Sequence, residues 1–221
     1  MKIGIIDYGS GNLHSVRNAV RHAASTVCPD DQIEQITTAS ELAVCDRIIL
    51  PGVGHFADCY NGLSGIEGMV ETLTELVQEK ARPFLGICVG MQLMADVGYE
   101  GGAATSGLGW ISGNVTHIGR VMDKAGTPAG LKIPHMGWNH LDIRQPDHPA
   151  LKNLTQQTQV YFVHSYMIEL ADTSDCLART SYGVDIPAVI GRNNILATQF
   201  HPEKSQQAGQ NFLHGFLCWR P

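Results

Sequence analysis

The sequence predicts an α/β protein with a mainly parallel central sheet flanked by helices and additional antiparallel strands in the C-terminal half. Three observations predict it. Short continuous apolar runs at Lys2 to Asp7, Asp46 to Leu50 and Pro83 to Ile87 have the composition of strands buried on both faces. Segments with apolar residues at helical spacing lie between them, and strands that alternate with helices build parallel sheets covered on both sides. After about residue 105 the texture changes to Gly-rich, β-prone segments separated by turns.

The elements follow in chain order. Lys2 to Asp7 is the first strand, Tyr-Gly-Ser-Gly-Asn a glycine loop, and Leu13 to Ala24 a helix with Leu13, Val16, Ala19, Val20 and Ala23 on one face. Asp46 to Leu50 is a second buried strand that ends in the sharp Pro-Gly-Val-Gly loop. Helical periodicity returns from Ile66 to Lys80. Pro83 to Ile87 is another strand, and Val89 to Val97 another helix carrying Met91, Leu93, Met94 and Val97. Strands are then expected at Val115 to Ile118, Met136 to Ile143, Val160 to Glu169, Cys176 to Ser181, Ala188 to Arg192 and Ile195 to Phe200. A last helix runs from about Glu203 to Cys218. No repeat, low-complexity tract or linker interrupts this order, so residues 1–221 are read as a single domain.

Composition narrows the function. The net charge of −6, with acidic residues scattered along the chain, argues against nucleic acid, whose phosphates call for a basic surface. No apolar stretch approaches the roughly 18 residues that cross a bilayer. The opening MKIGIIDYG has too short an apolar run, broken by Asp7, to be a secretory signal, so a cytoplasmic protein is expected. Six cysteines without a CxxC fit reduced thiols, and ten histidines without ligand spacing give no metal site. Gly9-Ser-Gly11-Asn-Leu-His14 begins like G-x-G-x-x-G but has His at the third glycine, so no dinucleotide or other cofactor is expected.

The question of chemistry centres on Cys88. A cysteine in an apolar context is usually a small buried hydrophobe, and Cys28, Cys45, Cys59, Cys176 and Cys218 are read that way. Cys88 differs because Gly86-Ile-Cys-Val-Gly90 has the G-x-Nuc-x-G form of a nucleophile elbow, placed between a strand and a helix. Side chains at the flanking glycines would collide with the strained turn or the neighbouring chain. Amides at the start of the following helix favour a thiolate and offer donors to an oxyanion. Far downstream, His201 and Glu203 are two residues apart at the end of an apolar strand and share a face. An imidazole beside a carboxylate is an oriented base, and joined to the elbow it completes a triad. His164, in Tyr161-Phe-Val-His-Ser-Tyr166, is the strongest rival base, yet no carboxylate lies two residues from it.

These residues together resemble the class I glutamine amidotransferases, in which a Gly-x-Cys-x-Gly-x-Gln elbow is completed by a late His-Pro-Glu. The likeness extends through Asp7-Tyr-Gly-Ser-Gly-Asn-Leu13, Leu50-Pro-Gly-Val-Gly-His-Phe56, Gly86 to Gln92, His135-Met-Gly-Trp-Asn139, Tyr161 to Tyr166 and Gln199 to Ser205. Ser25 to Thr38 and the neighbourhood of Ala103 fit the resemblance less clearly and are treated as variable surface, whereas the Pro-Gly-Val-Gly-His-Phe and Met-Gly-Trp-Asn blocks point to one branch of that family. Its members hydrolyse L-glutamine to glutamate and pass the ammonia to a (β/α)₈-barrel cyclase subunit. That partner makes imidazole glycerol phosphate and an aminoimidazole carboxamide ribotide in histidine biosynthesis.

The resemblance implies a heterodimer with that cyclase and a Cys88-His201-Glu203 triad working through a thioester. It implies oxyanion donors at Val89 and in the Gly52-Val53-Gly54 loop, and Gln92, Glu100, Ser165 and Tyr166, with Gly52, around the substrate. It also places Asn12, Trp138 and Lys204 near the partner interface. In the family, activity is low until the partner binds its ligand, and the two glycines of Pro-Gly-Val-Gly permit a peptide rotation that would act as the switch. Two rival functions are disfavoured on the sequence: a cysteine hydrolase or chaperone-like protein on a similar scaffold, by Gln92 together with His201-Pro-Glu203, and a non-catalytic nucleotide-binding or regulatory subunit, in which the complete triad would be gratuitous.

Overall fold

The computed structural model describes residues 1–25, 27, 29–127 and 130–221. The first half of the chain supplies strands β1 (Lys2–Ile6), β2 (Gln32–Ile36), β3 (Arg47–Gly52) and β4 (Phe84–Cys88). Between them run helices α1 (Leu13–Ser25), α2 (Ala39–Ala43), α3 (Phe56–Ser64) and α4 (Met69–Thr74), and α5 (Val89–Gln92) follows directly on β4. The short strands β5 (Val97–Gly98) and β6 (Thr105–Ser106) lead to β7 (Gly113–His117), helix α6 (Ile118–Ala125), β8 (His135–His140) and β9 (Asp142–Ile143). The chain ends with β10 (Gln159–His164), β11 (Tyr166–Leu170), β12 (Cys176–Ser181), β13 (Asp185–Arg192), β14 (Ile195–Thr198) and helix α7 (Gln206–Cys218).

Eight strands form one sheet in the order β2-β1-β3-β4-β14-β13-β12-β9. The first five are mutually parallel and the last three run antiparallel. This is the mixed sheet the composition predicts. Every residue of β3 and β4 is buried, as expected of strands covered on both faces, and Ile48, Ile49, Leu50, Phe84, Leu85 and Ile87 form the centre of the core. At the edge of the core the buried Arg47 guanidinium donates to the carbonyls of Phe216 and Trp219 and lies over the Phe216 ring, tying the end of α7 to β3.

The structure departs from the sequence reading in several places, among them helices α2, α3 and α6, which the sequence reading does not predict, and the strand expected over Met136 to Ile143, which is divided between β8 and β9 in different sheets. Strand β2 lies inside the segment read as variable surface; it is an edge strand with only Ile36 buried, so it carries no apolar run to detect. The helix expected over Val89 to Val97 stops at Gln92, because residues 108–111 fold back and their amides take the carbonyls of Leu93, Met94 and Ala95. The strand expected over Val160 to Glu169 is two strands broken at Ser165: β10 pairs with β8, whereas β11 pairs with β7 in a different sheet. Cys45 and Cys59 are buried as expected, but Cys176 is half-buried and Cys218 exposed; Cys28 lies outside the described residues.

Candidate active site

β4 and β14 are parallel neighbours, with Ile87 opposite Thr198, so Cys88 at the end of β4 and His201 just beyond β14 emerge side by side. On the other flank β3 delivers Gly52 opposite Cys88. Three carboxyl ends of parallel strands thus converge on one spot, where open α/β sheets place their ligands.

Cys88 has φ 55 and ψ −109, a conformation rare for a residue with a side chain. Close backbone approach enforces it. A Cβ on Gly90 would sit 1.9 Å from the Leu50 carbonyl oxygen, and one on Gly86 would sit 2.7 Å from the Gly90 carbonyl oxygen. The elbow glycines are therefore required by the packing of β4 and α5 against β3, for the steric reason the motif suggests.

His201 is buried, and its Nδ1 lies 2.7 Å from Glu203 Oε1. Burial pulls the imidazole pKa down, but interactions with the Cys88 sulfur and the Glu203 carboxylate outweigh it and raise the value to about 10. His201 thus stands between a sulfur and a carboxylate that both favour its cation. Glu203 sits behind it, with side-chain exposure of 2 %. Its Oε2 is buried and accepts no hydrogen bond from the described residues.

A cleft of about 440 Å³ opens over Cys88. It is lined by Asn12, Val53, Gly54, Cys88, Val89, Gln92, Glu100, Ser165, Tyr166, His201 and Lys204, all singled out in the sequence, and also by Pro134, Val163 and His164. Gly52 lies beneath it, where a Cβ would meet the Tyr8 hydroxyl at 2.7 Å and the Gly90 nitrogen at 2.8 Å. Trp138 stands apart: it is 45 % exposed on β8, two residues from the exposed Met136, and makes an edge contact with Tyr161. Core packing does not account for it. Asn12 and Lys204, expected at an interface, both reach the cleft, and Lys204 Nζ lies 6.0 Å above the Tyr161 ring.

The loop that the sequence suggests as an oxyanion donor is held by its neighbours. The Val53 amide donates to Ser10 Oγ at 3.2 Å, and the Val53 carbonyl accepts from Ser10 Oγ at 2.6 Å and from Cys59 Sγ at 3.4 Å. The Tyr8 hydroxyl donates to the Pro51 carbonyl at 2.8 Å. In this conformation the Val53 amide is spent on Ser10. Gly54, at φ 101, supplies backbone freedom next to it. Glu100 Oε2 accepts from the Phe56 amide at 2.7 Å, fixing the start of α3 to the rim of the cleft.

Known proteins resemble this chain in sequence and in fold. The sequence profile of the family described as "Glutamine amidotransferase class-I" matches residues 4–218. The chain belongs to the class I glutamine amidotransferase family. It is 49% identical over 221 residues to "Imidazole glycerol phosphate synthase subunit HisH" of Rhodospirillum rubrum, and 47% identical over 224 residues to the protein of that name from Brucella melitensis. Each match covers 100% of both chains. Among solved structures, one described as a glutamine amidotransferase superposes with a TM-score of 0.69 over 97% of this chain and 96% of that one, at 16% identity. A glutamine amidotransferase from Thermotoga maritima gives 0.60 at 13% identity, covering 98% of this chain and 82% of that one. At such identities these structures speak to the fold, which this chain shares with the amidotransferases.

Sequence reasoning missed two residues of this candidate site. Gln199 is fully buried; its Nε2 donates to Cys88 Sγ at 3.7 Å and its Oε1 accepts from Gln92 Nε2 at 3.0 Å. The signal available was its place two residues before His201, just beyond the end of β14. Ser10 was read only as part of a glycine loop, and its tie to Val53, 43 residues away, leaves no local signature. His164, the rival base, is buried with its ring occupied by other partners, and burial pushes it down to about 3. It is therefore a poor proton acceptor.

Proposed function

We propose that this chain is the glutaminase subunit of an imidazole glycerol phosphate synthase. It hydrolyses L-glutamine to glutamate and ammonia, and a cyclase subunit uses the ammonia in histidine biosynthesis. The observation that carries the reading is the strained Cys88 elbow beside the buried His201–Glu203 pair, within a chain that matches subunits of that name end to end.

Cys88 attacks the side-chain amide carbon as the thiolate, forming the C–S bond. His201, charged through its contacts with Cys88 and Glu203, gives its proton to the departing nitrogen, and ammonia leaves as the thioester forms. His201, now neutral, takes a proton from water; the water attacks the thioester carbon, the C–S bond breaks, and glutamate departs. Glu203 orients His201 by accepting from Nδ1, which leaves Nε2 for the proton transfers. Gln92, Glu100, Ser165 and Tyr166 surround the amino-acid end of the substrate.

Oxyanion donors are the Val89 amide and an amide of the Gly52–Gly54 loop. With the Val53 amide on Ser10, the loop part of that hole is incomplete, and the chain rests in a low-activity state until a partner rearranges it. The partner is a (β/α)₈-barrel cyclase forming a heterodimer, docked around Asn12, Trp138 and Lys204; the exposed Met136 and Trp138 side chains suit such a surface. Co-purification with the cyclase subunit, followed by glutamate release with and without the cyclase ligand, tests this. Ligand-stimulated release is expected; no release at saturating glutamine and ligand overturns it.

A further inference from the structure

Two buried histidines take no part in the proposed chemistry: His164, which lines the cleft next to Ser165 and Tyr166, and His135 beside it. Their proton positions follow from their partners. His164 Nδ1 is 2.9 Å from the Tyr166 carbonyl oxygen, which only accepts, so this nitrogen carries the proton. A neutral His164 then has an acceptor at Nε2, and His135 Nδ1, 3.0 Å away, must carry its own proton. His135 Nε2 is left to accept, and Asn139 Nδ2 lies 3.2 Å from it.

The orientation of Asn139 is fixed independently. Its Nδ2 also donates to the Ser181 carbonyl at 3.0 Å, and its Oδ1 accepts from the His140 amide at 2.8 Å. Burial keeps both rings neutral, pushing His135 down to about 4 and His164 to about 3. His135 is clamped between the Phe162 and Tyr182 rings at 4.8 and 4.1 Å, with interplanar angles of 24° and 25°.

At the far end the Tyr166 carbonyl receives a second donor, Gln92 Nε2 at 3.1 Å. Gln92 continues through Gln199 to Cys88. An unbroken line of hydrogen bonds therefore runs from β8, the strand that carries exposed Met136 and Trp138, to the surroundings of the nucleophile. All donors in its Asn139–His135–His164–Tyr166 part point the same way.

We propose that Asn139, His135 and His164 form a positioning relay for substrate glutamine, fixing the Tyr166 carbonyl, and with it the Ser165–Tyr166 wall and the Gln92 amide, from strand β8. The proposal rests on the glutaminase reading for its substrate, and none of the three is a catalytic residue. Because the donors run one way, the relay is reversible at its start. Asn139→Asp replaces the donor with an acceptor facing His135 Nε2, which must then take up the proton. His135 Nδ1 becomes an acceptor, His164 switches in turn, and its Nδ1 lone pair then faces the Tyr166 oxygen. A packing role alone predicts no such switch.

The test combines ¹⁵N imidazole NMR of the full chain with glutamine kinetics in the complex at saturating cyclase and cyclase ligand. In the wild type, both histidines are expected neutral and protonated on Nδ1 at pH 7. In Asn139→Asp both are expected protonated on Nε2, with KM for glutamine raised about tenfold or more and kcat held within about threefold. Asn139→Ala, which leaves the proton order intact, is expected to raise KM less. His164→Asn can place its amide nitrogen near the position of Nδ1 and is expected to stay near wild type, whereas His164→Leu raises KM as Asn139→Asp does.

A wild-type His135 or His164 that is charged or protonated on Nε2 overturns the relay, even if Asn139→Asp does not fold. So does an Asn139→Asp KM no higher than that of Asn139→Ala, or equal effects of His164→Asn and His164→Leu. Failure of the relay alone leaves wild-type glutaminase activity intact. A wild-type complex that releases no glutamate sinks the glutaminase reading and the positioning role with it.

Discussion

Replacing Glu203 with glutamine removes a charge while keeping an acceptor for His201 Nδ1, which makes it a clean perturbation of the site. The pair is 2.7 Å apart, and both side chains are 2 % exposed. The rise of His201 from 6.5 to about 10 corresponds to about 5 kcal/mol of preference for the imidazolium, net of the opposing cost of burial. Cys88 and Glu203 both contribute to it, and because a hydrogen bond to a charged group is worth about 1.5–3 kcal/mol, loss of the carboxylate charge costs on the order of 2 kcal/mol.

In Glu203→Gln the His201 titration midpoint should fall by about one to two pH units, and kcat/KM for glutamine by about tenfold to a hundredfold. Stability carries the sign. A pKa raised on folding contributes stability that is fully present below the unfolded value near 6.5 and is lost as pH rises through the folded value near 10. The variant should therefore be less stable than wild type by about 2 kcal/mol at pH 6, with the gap closing by pH 10 as the wild-type pair itself discharges. Urea unfolding at both pH values, with NMR titration of His201, makes the measurement. A gap equal at pH 6 and pH 10, or an unmoved His201 titration, would refute the reasoning.

Two further substitutions test the elbow and the loop. Gly90→Ala places a Cβ 1.9 Å from a backbone oxygen and should cost about 3 kcal/mol or more in urea unfolding, whereas Gly54→Ala, with φ 101 and open space around it, should cost only about 1 kcal/mol. The reverse order would contradict the steric account of the elbow. Ser10→Ala removes both Ser10 bonds to Val53 and should raise glutamate release without the cyclase ligand by about fivefold, leaving the ligand-stimulated rate within about twofold. An unchanged basal rate would show that the Ser10 contacts do not hold the resting state.

The parts of this fold legible in the sequence are those where one physical demand dominates. The runs of β1, β3 and β4 follow from burial on both faces, and the Cys88 elbow follows from the steric need for Gly86 and Gly90. Strand β2 was not legible because Gln-Ile-Glu-Gln-Ile at a sheet edge buries only one side chain and is selected for pairing, not for apolarity. The break at Ser165 was hidden because β10 and β11 are both apolar and differ only in their partners. His201 and Glu203 were found together from their spacing of two residues, although Pro202–Lys204 turns in a 3-10 helix in place of the extended chain the sequence suggests. The ties from Ser10 to Val53 and from Asn139 through His135 to His164 join segments far apart in sequence, and only the folded chain reveals them.

The central claim is that Cys88, set in its elbow beside His201, is the nucleophile for a glutamine side-chain amide. Its most direct test is covalent capture: the complex is treated with a glutamine-analogue electrophile, and the modified residue is located by peptide mass spectrometry, with and without competing glutamine. The account predicts one stoichiometric adduct on Cys88, suppressed by glutamine and coincident with loss of glutamate release. An adduct on the exposed Cys218 in place of Cys88, or full glutaminase activity with Cys88 modified, would contradict it.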